Sequence, residues 1–157
     1  MDSAIKIILK HGKEQSVMRL HPWIFSGAIK KIEGLPREGD IAEVFSHDNQ
    51  YLATGHYQIG SIAIRLFSFQ QVTADTAFWR NKIQAAWDLR KELGLTGNAD
   101  TSVYRLVNGE GDGMPGLIID YYNGIAVIQT HSVGMYYLRD QITSVLHEIY
   151  NHSLVAV

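Results

Sequence analysis

The sequence predicts an α+β protein: a small β-barrel in the first part of the chain, then a small α/β unit. Three observations carry the prediction. Up to residue 69, short runs rich in β-branched and aromatic residues alternate with turn-forming residues roughly every eight to twelve positions. Between residues 75 and 93 the apolar side chains recur at helical spacing instead. Beyond residue 102, strand-like runs return and lead into a second helical pattern that reaches Tyr150.

In order, Ala4 to Leu9 alternates as a strand, and Lys13 to Leu20 has room for one or two helical turns. In His21-Pro-Trp-Ile-Phe-Ser-Gly27, Pro22 biases His21 away from helix, and alternation puts Trp23 and Phe25 on one side of an extended segment. Burial is the favoured use of that pair, since each ring hides a large apolar area. Exposed, the two rings would be platforms for stacking bases. Strands follow at Ala28 to Ile32, Ile41 to Ser46, Tyr51 to Tyr57 and Ser61 to Phe69, with turns at 35–40 and 47–50. From Asp75 to Leu93, the residues Trp79, Ile83, Ala86 and Leu93 define a helix face; Thr73 or Asp75 can cap its start and Gly94 its end. This helix reads as a connection. Strands at Val103 to Val107, Leu117 to Tyr122 and Ile125 to Thr130 come next, and Tyr122-Asn-Gly-Ile makes a tight hairpin. Leu138, Ile142, Val145, Leu146 and Ile149 define one face of a helix over Ser132 to Tyr150, and Ser153 to Val157 starts another strand.

The segment Tyr104 to Tyr122 holds Gly109, Gly111, Gly113, Gly116 and Pro115, and so predicts a shaped turn with positive φ at its glycines. A phosphate cradle would need those amides to feed a helix N-terminus, whereas here a strand follows. A hard-cation site on Glu110 and Asp112 would need more oxygen ligands than the run supplies. A structural hairpin whose acids cap backbone amides is favoured on the local residues.

The chain has 157 residues, 46% hydrophobic and 19% charged, enough for one ordinary domain or two small ones. No apolar run approaches the ~20 residues of a bilayer span, and Met1-Asp-Ser-Ala lacks the features of a secretory signal. A soluble cytoplasmic protein is the expectation. Without cysteine there are no disulfides, thiolate metal sites or thiol nucleophiles. The net charge of −2 hides a gradient. Residues 1–31 carry Lys6, Lys10, Lys13, Arg19, Lys30 and Lys31 against Asp2 and Glu14, a surplus of four positive charges, so the remaining 126 residues carry six negative ones. Such a gradient points to a polyanionic partner, or else to a solvated charged face.

Three ordered segments carry a family resemblance: His21-Pro-Trp-Ile-Phe-Ser-Gly-Ala28, Leu52-Ala-Thr-Gly-His-Tyr57 leading to Ile64-Arg65, and Arg105-Leu-Val-Asn-Gly-Glu-Gly-Asp-Gly-Met-Pro-Gly-Leu117. Together they resemble the N-terminal half of the ribosomal RNA large-subunit cytosine-5 methyltransferases related to methyltransferase I. The resemblance implies a PUA-like RNA-binding domain over residues 1–70, a connecting helix and linker over 71–100, and an incomplete central α/β domain over 101–157. It also implies a C-terminal Rossmann-like domain, absent from this sequence, that binds S-adenosylmethionine and performs the chemistry. The chain itself has no glycine-rich strand-to-helix turn and no cysteine, so no catalytic residue, metal ligand or cofactor is expected within it.

On this reading, Lys6, Lys10, Lys13, Arg19, Lys30 and Lys31 contact phosphates, and His21 and Trp23 contact bases or RNA shape. Arg105, Asn108, Glu110 and Asp112 position the absent domain or its substrate, or serve a structural role between domains. The expected partner is RNA, in particular large-subunit ribosomal RNA, with a homodimer as an option and no membrane. A stand-alone PUA-type RNA-binding adaptor is the alternative. A small metal-dependent hydrolase using Glu110, Asp112 and His131 is a third reading.

Overall fold

The computed structural model describes residues 5–157, so the predicted strand start at Ala4 lies outside the described residues. Two compact units are present: residues 5–72 with 132–134, and residues 73–131 with 135–157.

The first unit is a six-stranded sheet curled into a half-barrel. Its strands are β1 (Ile5–Leu9), β2 (Trp23–Phe25), β3 (Ile29–Glu33), β4 (Ile41–Phe45), β5 (Tyr51–Tyr57) and β6 (Ile62–Ser68), ordered β2-β6-β5-β4-β1-β3. All neighbours are antiparallel except β1 and β4, which run parallel. A short helix, α1 (Glu14–Met18), buries Val17. Alternation puts Ile7, Leu9, Ala42, Val44, Ala53, Ile64 and Leu66 in one core. In β3 the inward residues Ile29 and Ile32 are three apart, which a regular strand would send to opposite faces. The register resolves this: Lys31 faces Ile8 and Ile29 faces Leu9, leaving Lys30 as the extra residue of a bulge.

Gly55 marks another irregularity, between Thr54 and Gly55 on β5. A Cβ there would strike the Arg65 carbonyl oxygen, with the Ile64 Cγ2 at 2.8 Å. The backbones of β5 and β6 approach too closely for any side chain. Gly55→Ala is expected to cost about 2 kcal/mol by overpacking. Urea unfolding measures this, and an unshifted midpoint would contradict the steric account.

The second unit comprises α2 (Thr76–Glu92), a three-stranded antiparallel sheet of β7 (Val103–Asn108), β8 (Leu117–Tyr122) and β9 (Ile125–Thr130), and the helix α4 (Arg139–Tyr150); helix α3 (Val133–Tyr137) starts in the first unit at Val133 and Gly134 and ends in the second. Asp75 caps α2 by accepting from the Phe78 amide at 2.9 Å, and Gly94 takes a φ of 72° just past its end. The predicted face holds at Trp79, Ile83 and Ala86, but Leu93 is 64% exposed and Arg90 is buried in its stead. The single helix predicted over 132–150 is interrupted at Leu138. There the Leu138 amide donates to the Met135 carbonyl, a tight three-residue closure, and Arg139 donates to the Tyr136 carbonyl at 3.0 Å. The strand predicted at 153–157 is reduced to one parallel bridge between Ala156 and Ile125.

Candidate nucleic-acid interface

The extended segment after Pro22 becomes β2, an edge strand. Its register with β6 sets Ile24 opposite Ile64 in the core, where Ile24 is 2% exposed. Trp23 and Phe25 therefore turn outward. Phe25 is 50% exposed and Trp23 is half-buried, which overturns the favoured reading of a buried pair. The odd residue of a three-residue strand goes inside when the core needs one aliphatic group, and both flanking rings are left at the surface.

Three devices fix these rings. Leu20 takes the left-handed conformation (φ 63°), which turns the chain sharply out of α1. The His21 amide donates to the Ser16 carbonyl at 3.0 Å, and the Trp23 amide donates to Nδ1 of His21 at 3.2 Å. The His21 ring thus lies 6.0 Å from Trp23, edge to face, and 6.4 Å from Phe25. Beside them is an open hollow of about 430 Å³ lined by Lys13, Ser16, Trp23, Phe25, Gly27 and their neighbours. Lys10 reaches its rim, where its ammonium donates to the Gly27 carbonyl at 2.7 Å.

The eight residues expected to touch RNA therefore separate. Lys10, Lys13, His21 and Trp23 are gathered at this hollow, and Phe25, which charge counting passed over, joins them. Alternation already sets Phe25 beside Trp23, and the expectation that the pair is buried is what leaves Phe25 out of the expected contacts. Lys6 and Lys31 lie instead on the outer face of β1 and β3 with Glu33. Lys31 pairs with Glu33 at 2.8 Å, and Lys6 covers the Phe45 ring at 4.5 Å. The Lys31 hydrogen bond and charge, with the Lys6 charge as a smaller cause, hold the Glu33 carboxyl below its usual pKa. The outer face is thus of mixed charge. Lys30 projects from the bulge, and Arg19 is exposed at the end of α1.

The glycine-rich loop is a turn of 3₁₀ helix, Gly109–Asp112, between β7 and β8. Gly109, Gly113 and Gly116 have φ of 51°, 66° and 85°, whereas Gly111 is outside the left-handed region. Asp112 is almost fully committed. It binds the Arg90 guanidinium through both oxygens, at 2.5 and 2.8 Å, and accepts from the Asn108 amide at 2.6 Å. Arg105 faces Asp120 across the β7–β8 ladder and bonds it at 2.8 Å, with a longer contact to Asn108 at 3.3 Å. Glu110 is exposed on the turn. Lys82, whose ammonium donates to the Gly113 carbonyl at 2.9 Å, is pushed below its usual pKa by burial.

With both oxygens of Asp112 on Arg90, the hydrolase reading loses its central ligand. Among the described residues no group of three or more acidic or histidine side chains could hold a metal ion. A sulfonium cofactor does not fit this loop either, since it runs into β8 and not into a helix N-terminus. Among the described residues no helix is long and apolar enough to cross a membrane.

Comparison with known proteins accords with this geometry. Residues 7–69 match the family described as PUA-like domain. The ribosomal RNA large subunit methyltransferase I of Vibrio campbellii is 40% identical over 162 residues, covering 96% of this chain and 39% of that protein. The protein of the same name from Klebsiella pneumoniae strain 342 is 38% identical over 160 residues, covering 97% and 40% respectively. That from Enterobacter sp. strain 638 is 36% identical over 149 residues, covering 94% and 37%. A candidate SAM-dependent methyltransferase from Streptococcus mutans shares the fold with a TM-score of 0.81 at 22% identity, over 96% of this chain and 39% of that one. A candidate methyltransferase solved with SAH gives a TM-score of 0.82 at the same 22% identity and the same coverage. The chain thus spans well under half the length of the relatives it matches. Over nearly its whole length it is a homologue of ribosomal RNA large subunit methyltransferase I, and it carries a PUA-like domain within the matched stretch.

Proposed function

We propose that these residues are the RNA-recognition portion of a SAM-dependent methyltransferase acting on cytosine-5 of large-subunit ribosomal RNA in the cytoplasm. They hold the RNA while methyl transfer takes place elsewhere in the protein. One observation carries the reading: Trp23 and Phe25 stand outward beside a hollow rimmed by Lys10 and Lys13. The combination suits unpaired RNA, because aromatic faces stack on bases while ammonium groups neutralise phosphates. Arg105, Asn108 and Asp112 serve the second unit by holding the loop's shape, and Glu110 is the loop's outward acid.

Lys10→Ala with Lys13→Ala is expected to weaken binding of single-stranded RNA about tenfold at low salt and to flatten the salt dependence by the share of two phosphates. Trp23→Ala should weaken binding by about 1–3 kcal/mol with the salt slope unchanged, since stacking releases no counterions. Fluorescence anisotropy at a series of salt concentrations separates the two. Unaltered binding by the lysine double variant would remove this surface as the docking site.

A further inference from the structure

A second hollow, of about 470 Å³, lies within the second unit. Trp87, Thr96, Ser102, Tyr104, Tyr121 and Tyr150 are among its walls, and among the described residues none that lines it carries a charge. Nothing in the reading above uses it.

Its walls are ordered. Tyr121 stacks on Tyr150 with centroids 4.8 Å apart and planes 5° from parallel, and Tyr104 lies 5.1 Å from Tyr121 on a 31° tilt. The hydroxyls of Tyr104 and Tyr150 share one hydrogen bond of 2.7 Å. Two hydroxyl protons and one shared bond leave a proton to donate elsewhere. Burial pushes both phenols above their usual pKa, so both stay protonated. The lip is braced as well. Asn98 donates to the Gly94 carbonyl at 3.1 Å and accepts from the Asp100 amide at 2.9 Å, while the Asn123 amide donates to the Ser102 carbonyl at 2.7 Å.

Against these satisfied groups, two polar atoms of lining residues are buried without a partner: Trp87 Nε1 and the Thr96 hydroxyl. A buried donor left unpaired is costly, so an occupant that reaches it is favoured by that cost. The hollow thus offers aromatic surface, surplus N–H and O–H donors, and no countercharge. Lys91 lies over the Trp87 ring at 5.3 Å without lining the cavity.

We propose that this hollow binds an uncharged planar nitrogen heterocycle of nucleobase size, whose ring nitrogens and carbonyls accept from Trp87, Thr96 and the tyrosine pair. Phosphate and carboxylate ligands are disfavoured because no cation lines the walls. The heterocycle comes either from a free nucleoside or from an unpaired base of RNA. The second source rests on the function proposed above, and the first is independent of it.

The test titrates the 157-residue chain with adenosine, guanosine, cytidine and uridine, and with their 5′-monophosphates, following chemical shifts at the Trp87 indole. At least one nucleoside should bind with a dissociation constant at or below about 1 mM, its monophosphate no more tightly. Thr96→Val should weaken it about fivefold without lowering the thermal midpoint, and Tyr104→Phe should weaken it about fivefold while also lowering the midpoint, since it leaves the Tyr150 hydroxyl without its partner. Competition by single-stranded RNA for the bound nucleoside assigns the source to RNA, and that competition should need about tenfold more RNA in Lys10→Ala/Lys13→Ala; no competition assigns it to free nucleoside. Failure of the lysine variant to affect RNA binding leaves nucleoside binding standing, so the two readings fail separately. Absence of nucleoside binding up to 10-fold above that limit, or binding indifferent to both hollow variants, overturns the proposal.

Discussion

Arg90→Ala should destabilise the second unit by about 4 kcal/mol, because it removes one partner of a buried ion pair and leaves the other charge unpaired. The Arg90 and Asp112 side chains are only 11% and 6% exposed. Arg90 also donates through Nε to the Arg105 carbonyl at 3.0 Å, so the truncation orphans a backbone acceptor on β7 as well. Asp112→Ala should cost a comparable amount, since it strands the guanidinium and the Asn108 amide together. Arg90→Lys should recover little. A single ammonium cannot reproduce a two-pronged grip on the carboxylate plus a third bond to the carbonyl. Equilibrium unfolding in urea reads all three variants, and a loss below about 1 kcal/mol in Arg90→Ala would show the pair to be solvent-screened.

The second large effect is a pH dependence in the first unit. His56 is buried on β5, its ring packed on Phe67 at 4.8 Å and against Gly134, where a Cβ would collide with the imidazole. Burial disfavours the charged ring and lowers its pKa from 6.5 to about 4. The sign follows from proton counting. Between these values the unfolded chain binds a proton that the folded unit excludes, so stability is fullest above pH 6.5 and declines as the pH falls toward 4. The loss attributable to this residue is about 3 kcal/mol. His56→Gln removes the titrating group; if the difference in unfolding free energy between pH 7 and pH 4 is the same in variant and wild type, His56 is not the cause.

Local patterns were enough to read most of the elements. β8 and β9 end where the residues said, because β-branched runs and the Asn123-Gly124 turn are short-range signals. What escaped were features set by residues distant in the chain. Arg90 sits at a helical position where Leu93 looked the better core residue, and only a carboxylate 22 residues later accounts for its burial. The inversion at Trp23, Ile24 and Phe25 follows from pairing with Ile64 on a strand 40 positions on. Likewise the aromatic hollow joins Trp87, Tyr104, Tyr121 and Tyr150 from four elements, with no spacing to announce it. For the glycine-rich loop, sequence logic favoured a structural hairpin, and the bonds of Asp112 agree, although its main partner was not foreseeable.

Because β1 lies between β3 and β4, the first strand among the described residues is an interior plank with hydrogen bonds on both sides. Its parallel partner is not complete until Phe45. During synthesis Ile7 and Leu9 must therefore wait uncovered while some three dozen further residues emerge, a delay that favours chaperone contact. For the same reason, loss of β1 would leave β3 without a neighbour in the sheet.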